Sequence, residues 1–168
     1  MPCLLRALID QKSHNNINLD YIQKYGYWRG QTPLIIAISN LNHKCAEYLL
    51  KGGAKPNMKD TRENFSSAPL HHAIDTNDIA SVKLLLHYKA NINITDDDTR
   101  TPLIKLIDTH RFYLNNTDYK QKAALIAQLL IQKGATKPLE HHLCEQLNNL
   151  LTFLPQEEKE STETMEMH

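Results

Sequence analysis

Two adjacent histidines, His71 and His72, stand in "SAPLHHAIDTND" with Asp75 close behind. Imidazole and carboxylate are the ordinary materials of metal ligation and proton transfer. A zinc centre, however, needs three or four ligands in suitable geometry. His72 and Asp75, three apart on one helical face, supply two, with no clear third. "HHLC" (His141, His142, Cys144) is a second metal-like cluster, and it too lacks a complete ligand set. Asp96 to Asp98 lack the alternating oxygen ligands and glycine of a calcium loop. They read as an acidic loop tip suited to a basic partner.

Catalytic signatures are missing as well. The chain has no G-x-S-x-G, no Walker glycine loop, no H-E-x-x-H and no paired cysteine–histidine signature. Its five glycines leave little material for a phosphate cradle. The reading is therefore non-enzymatic, with no cofactor and no metal. A triad is defined by geometry rather than spacing, so one enzymatic alternative stays open: a small site built from Asp108, His110, Asp118 and Tyr119.

The elements that position these residues repeat along the chain. "GQTPLIIAI", "SSAPLHHAI" and "TRTPLIKLI" align on Pro33, Pro69 and Pro102, which are 36 and then 33 residues apart. Each is followed by a second apolar helix and a terminator: "CAEYLLKGGAKPN", "SVKLLLHYKANIN" and "AALIAQLLIQKGATKP". From Thr32 to Ala54 is 22 residues, and from Ala68 to Ala90 is again 22. From Thr101 to Ala135 is 34, so the third unit carries 12 extra residues between its helices. Two independent rulers with matching spacing mark a repeat architecture.

The pattern T-P-L-H-x-A with a period near 33 resembles the ankyrin repeat. The resemblance covers residues 30 to 138 and implies an all-α solenoid of helix–turn–helix repeats with hairpin loops. About three full repeats are expected, with a cap at each end. The boundaries read as a capping or degenerate repeat at 1–29 and repeats at 30–66, 67–99 and 100–138. The third repeat carries its insertion near 110–121. A cap helix follows at 139–154 and a disordered acidic tail at 155–168.

Local chemistry fits this frame. Thr32 and Thr101 can cap helices that open with proline. Ala68 cannot, so Ser66 or Ser67 substitutes, or the middle helix starts less firmly. Gly53 and Gly134 suit the left-handed residue that ends a helix, and Lys89 stands at the third such site. The hairpin-tip glycine usual in the family is missing from the second and third loops. Leu139, Leu143, Leu147, Leu150 and Leu151 are expected to form the cap's apolar stripe. The insertion "HRFYLNNTDYKQ" should project as a loop or lengthen both helices.

In this frame the two histidines separate. His71 occupies the motif histidine, which the resemblance implies hydrogen-bonds backbone around the hairpin. Ile35 and Ile104 replace it in the sister repeats. His72 falls on the variable position, which the resemblance places on the concave, partner-facing side. The implied binding surface comprises Tyr27, Trp28, Ile36, Ser39, Asn40, Arg62, Phe65, His72, Asp75, Asp97, Arg100, Lys105 and Asp108. Trp28 equally suits packing of the first hairpin against the N-terminal cap.

Lysine plus arginine equals aspartate plus glutamate at 19 each. A chain of zero net charge lacks the field that attracts nucleic acid or anionic membrane. Three scattered cysteines fit a reducing compartment. No run approaches the roughly 20 apolar residues of a membrane span. The expectation is a cytoplasmic, monomeric module that binds a protein partner. Lysine outnumbers arginine 14 to 5, a bias typical of AT-rich genomes. The tail "EEKESTETMEMH" is similar to the glutamate-rich signals of bacterial type IV secretion effectors. That similarity implies delivery into a host cell. An immunity or inhibitor protein is the other alternative.

Overall fold

The computed structural model describes residues 18–24, 26–62, 66–110 and 116–155. These form seven helices and no strand. In chain order they are α1 (Pro33–Ser39), α2 (His43–Lys51), α3 (Pro69–Asp75), α4 (Ile79–His87), α5 (Pro102–His110), α6 (Thr117–Gln132) and α7 (His141–Leu151). The chain divides into two compact units, one ending at Pro102 and one beginning at Leu103.

The first unit holds two helix pairs, α1/α2 and α3/α4. Its core is Leu34, Ile35, Ala37 and Ile38 from α1, Ala46, Leu49 and Leu50 from α2, Leu70, Ala73 and Ile74 from α3, and Val82 and Leu85 from α4. Apolar residues at i, i+3 and i+4 put one stripe of each helix inside. Burial of that stripe stabilises helices of seven to nine residues, which are too short to persist alone.

Helix starts follow side-chain chemistry. Thr32 Oγ1 accepts the Ile35 N–H at 3.3 Å, Asn42 Oδ1 that of Cys45 at 3.1 Å and Asp78 Oδ2 that of Ser81 at 3.0 Å. At α3 the expected serine substitute does not form. Ser66 Oγ donates instead to the Asp60 carbonyl at 2.7 Å. Alanine has no side-chain acceptor, so only the return half of a capping box exists there: the Ala68 N–H donates to His71 Nδ1 at 3.3 Å.

Helix ends share one device. Gly53 and Gly134 have φ of 93° and Lys89 has φ of 63°. The following alanines, Ala54, Ala90 and Ala135, each return an N–H to the carbonyl of Leu49, Leu85 or Leu130 at 2.9–3.0 Å. The departure at Lys89 is thus real: a left-handed lysine does the work of glycine. Lys89→Gly should raise stability by about 1 kcal/mol, read as a higher urea midpoint with unchanged slope.

The hairpins also share a register. The N–H of Gln23, Asp60 and Asp96 donates to the carbonyl of Gln31, Ser67 and Arg100 respectively, at 2.9–3.0 Å. Each acceptor lies two residues before the proline that opens a first helix.

In the second unit, Leu103, Leu106 and Ile107 of α5, Ala123, Ala124, Ile126, Ala127 and Leu130 of α6, and Leu143, Leu147 and Leu150 of α7 are buried. Leu139 departs from the expected cap stripe. It is 98% exposed and precedes α7. Helix α5 has nine residues against seven in α1 and α3, and α6 has sixteen against nine in α2 and α4. Lengthened helices therefore absorb much of the insertion, and 111–115 lie outside the described residues. So do 1–17, which make up much of the capping or degenerate repeat expected at 1–29, and the acidic tail from 156 onward.

Candidate functional site

The first unit gathers its polar side chains around Asp60. Asp60 sits in the loop after α2, and its side chain is fully buried. Its Oδ1 accepts the Ser67 N–H at 2.6 Å, and its Oδ2 accepts Arg62 Nε–H at 2.7 Å. Oδ2 also lies 3.3 Å from His72 Nε2. Burial pushes the Asp60 carboxyl up. Hydrogen bonds from His72, Ser67 and Arg62 outweigh burial and hold it below its ordinary value.

His72 does not lie on an open groove as the sequence reading placed it. It is 6% exposed and sits between repeats. Its Nδ1 is 3.4 Å from Ser39 Oγ on α1, and its Nε2 faces both Asp60 Oδ2 and Arg62 Nη2, the latter at 3.4 Å. One neutral tautomer donates from Nε2 to Asp60. The other accepts there from Arg62 while donating from Nδ1 to Ser39. A variable position one residue past the motif histidine is turned by the helix toward the preceding repeat. His72 therefore orients Arg62 and Ser39.

His71 behaves as its motif position implies. It is fully buried, with Nδ1 accepting from Ala68 N–H and Nε2–H donating to the Arg100 carbonyl at 3.1 Å. That pattern fixes the Nε2–H tautomer. It ties α3 to the third hairpin.

The remaining expected residues scatter. Tyr27 is 91% exposed on the first hairpin, its ring edge-on to half-buried Trp28 at 4.7 Å between centroids. Ile36 and Asn40 line an apolar cleft of about 370 Å³ with Pro33, Ala37, Asn42, Cys45 and Leu49. Asn40 Nδ2 donates back to the Ile36 carbonyl at 2.7 Å. Asp97 accepts the Ser66 N–H at 2.9 Å, linking two hairpins. Arg100 pairs with Asp96 at 3.0 Å and Asp98 at 2.6 Å, so the acidic tip already has a cation. Asp75 is exposed, and Lys105 and Asp108 are half-buried in the second unit. Phe65 lies outside the described residues.

Sequence reading missed Asp60, Arg29, and the His43–Asp78 pair at 2.7 Å that joins α2 to α4. One signal was available for the first. "NMKD" and "NITD" place Asp60 and Asp96 alike, and both carboxylates brace a hairpin. Arg100 N–H donates to Asp96 Oδ1 at 2.9 Å, as Ser67 N–H does to Asp60.

The residues of the enzymatic alternative form no shared centre in the contacts described. Asp118 is exposed and pairs with Lys122 at 2.7 Å. His110 is 8% exposed and packs edge-on to Phe153, with ring centroids 6.2 Å apart. Among the described residues no group of three His, Cys, Asp or Glu side chains could hold a metal. Cys144 of "HHLC" donates instead to the Pro138 carbonyl.

Burial, with help from the Lys120 charge, holds His110 below its ordinary value of 6.5. The unfolded chain then binds the proton more readily than the folded one. The stability that His110 contributes is complete above about pH 6.5 and declines as pH falls from there toward its lower folded value. Urea midpoints at pH 7.5 and 5 should differ less in His110→Leu than in the parent chain.

No helix among the described residues is long and apolar enough to cross a membrane. The family profile for the ankyrin repeat matches residues 29–61 and 67–97. An ANK repeat-containing protein of Caenorhabditis elegans, nipk-1, is 31% identical over 146 residues, 80% of this chain and 24% of that one. Rabankyrin-5 of Mus musculus is 36% identical over 95 residues, 54% of this chain and 7% of that one. The chain thus spans a quarter or less of these relatives' length. Among solved structures, the ankyrin repeat domain of Bcl-3 superposes with a TM-score of 0.62 at 24% identity, covering 81% of this chain and 52% of that one. That likeness speaks to the fold. With two matched repeats, helix pairs and hairpins in one register, and a relative 31% identical over 80% of this sequence, the chain is an ankyrin-repeat protein.

Proposed function

We propose that this chain is a protein-interaction module whose first unit grips a partner with its hairpins. The observation that carries the reading is Tyr27, 91% exposed and stacked edge-on to Trp28 on a hairpin tip. Exposing a large aromatic ring is costly in water, and Tyr and Trp are the residues on which interfaces most often anchor. The hairpin beneath them is braced by the Gln23 and Gly30 backbone bonds at 2.7–2.9 Å, so the pair is presented with little conformational freedom to lose.

Capture from cell lysate with the parent chain and with a Tyr27→Ala/Trp28→Ala double variant tests this. Loss of the principal prey in the variant is expected. Identical prey would sink the proposal. Lys105 and Asp108 belong to the second unit, and a Lys105→Ala arm asks whether that unit contributes. Size-exclusion chromatography with light scattering checks the monomeric state.

Delivery through a type IV system is the narrower version of this reading. It rests on Glu157, Glu158 and Glu160, which lie outside the described residues. The relatives named above are animal proteins and lend it no support. A translocation reporter with and without residues 156–168 would decide it, and the interaction proposal stands on the hairpins whichever way that falls. Turnover has no comparable geometry behind it.

A further inference from the structure

We infer that the polar cleft between the first two hairpins receives a single carboxylate side chain from an extended partner segment, with an apolar neighbour of that acid laid on Tyr27 and Trp28. The inference rests on the interaction-module reading and gives the partner a chemistry. The cleft has a volume of about 200 Å³ and is lined by Arg29, Gly30, Thr61 and Arg62. Its width is set by backbone: the Thr61 N–H donates to the Gly30 carbonyl at 2.7 Å. Gly30 keeps it open. A Cβ there would lie 3.0 Å from Arg62 Cγ and 3.1 Å from Arg62 N.

The two arginines have different duties. Arg62 Nε is committed to buried Asp60 at 2.7 Å, which aims the guanidinium. A guanidinium has five N–H donors, so donors remain for a second acceptor. Its charge, however, is already balanced by Asp60. Arg29 is exposed, and among the described residues no acid pairs with it. The cleft therefore offers a fork of donors with one net positive charge. That matches a monoanionic carboxylate better than a phosphate dianion. The aromatic pair precedes Arg29 directly in sequence, which places an apolar surface beside the charge. The whole chain has zero formal net charge, so attraction comes from this local fork rather than from long-range steering.

Random linear dodecapeptides displayed on phage, panned on the full chain in physiological salt, provide the probe. Recovered peptides should carry Asp or Glu beside an aromatic or aliphatic residue. Synthetic copies with that acid replaced by its amide should bind the parent chain about tenfold more weakly. They should bind Arg29→Gln no differently from the acid-bearing peptide. Arg29→Glu should recover affinity for a peptide with lysine at the acid position. Recovery of peptides without an acid, or equal binding of acid and amide forms, overturns the inference. Tighter binding of a phosphoserine copy overturns the carboxylate assignment. Peptides that ignore Arg29 but are lost in Tyr27→Ala/Trp28→Ala would sink the cleft and leave the interaction module standing. Peptides indifferent to both would sink both.

Discussion

Asp60→Ala should cost about 3 kcal/mol of stability, because it leaves a buried amide unpaired and removes the anion that offsets Arg62. The Ser67 N–H, Arg62 Nε–H and His72 Nε2 all converge on this one carboxylate. Arg62 is 41% exposed and can turn to water, so the loss belongs at the lower end of the range for broken buried pairs. The single tryptophan, Trp28, reports the transition by fluorescence. Asp60→Asn should keep the Ser67 bond and lose about half as much. A pH arm follows from the lowered Asp60 pKa. Its stabilisation is present above the ordinary value of 3.8 and is lost as pH falls through its lower folded value. The gap between parent and Asp60→Ala should therefore narrow in strong acid. A constant gap from pH 7 to 2.5 would refute the ionised-carboxylate account. A loss near zero at pH 7 would refute the network's importance altogether.

Gly30→Val should cost about 3 kcal/mol, by two separate routes. Gly30 has φ of 83°, a left-handed conformation that costs an L-residue roughly 1–2 kcal/mol. The added atoms also meet Arg62 and the Thr61 backbone at 3.0–3.2 Å, an overpacking cost of about 1–3 kcal/mol. Gly30→Ala should show the smaller part of this. The matching position in the third hairpin, three residues before its proline, is Thr99, with φ of 60°. A β-branched residue is strained there. Thr99→Gly should therefore stabilise by about 1 kcal/mol. Opposite signs at two equivalent positions form the test. If Gly30→Val unfolds at the parent's urea midpoint, the hairpin contact is not a constraint on the fold.

Part of this hairpin chemistry is legible in the sequence and part is not. The missing hairpin glycine is visible from alignment of "GQTP" with "TRTP", and so is the lysine where Gly53 and Gly134 stand. Whether the backbone bends to suit glycine anyway is decided by the structure, and at Thr99 and Lys89 it does. The serine cap expected for α3 does not form because Ser66 Oγ is held at the Asp60 carbonyl, across a loop that spacing does not measure.

By itself the sequence determined the repeat, the helix pairs, their proline starts and left-handed stops, and the structural role of His71. Those features are local: each recurs within one repeat, and hydrophobic period and capping chemistry act over a few residues. Only the tertiary structure decided that His72 is a buried link. Its partners, Asp60 and Ser39, lie 12 and 33 residues away. Proximity between neighbouring repeats is created by stacking, and no pattern within a single repeat encodes it.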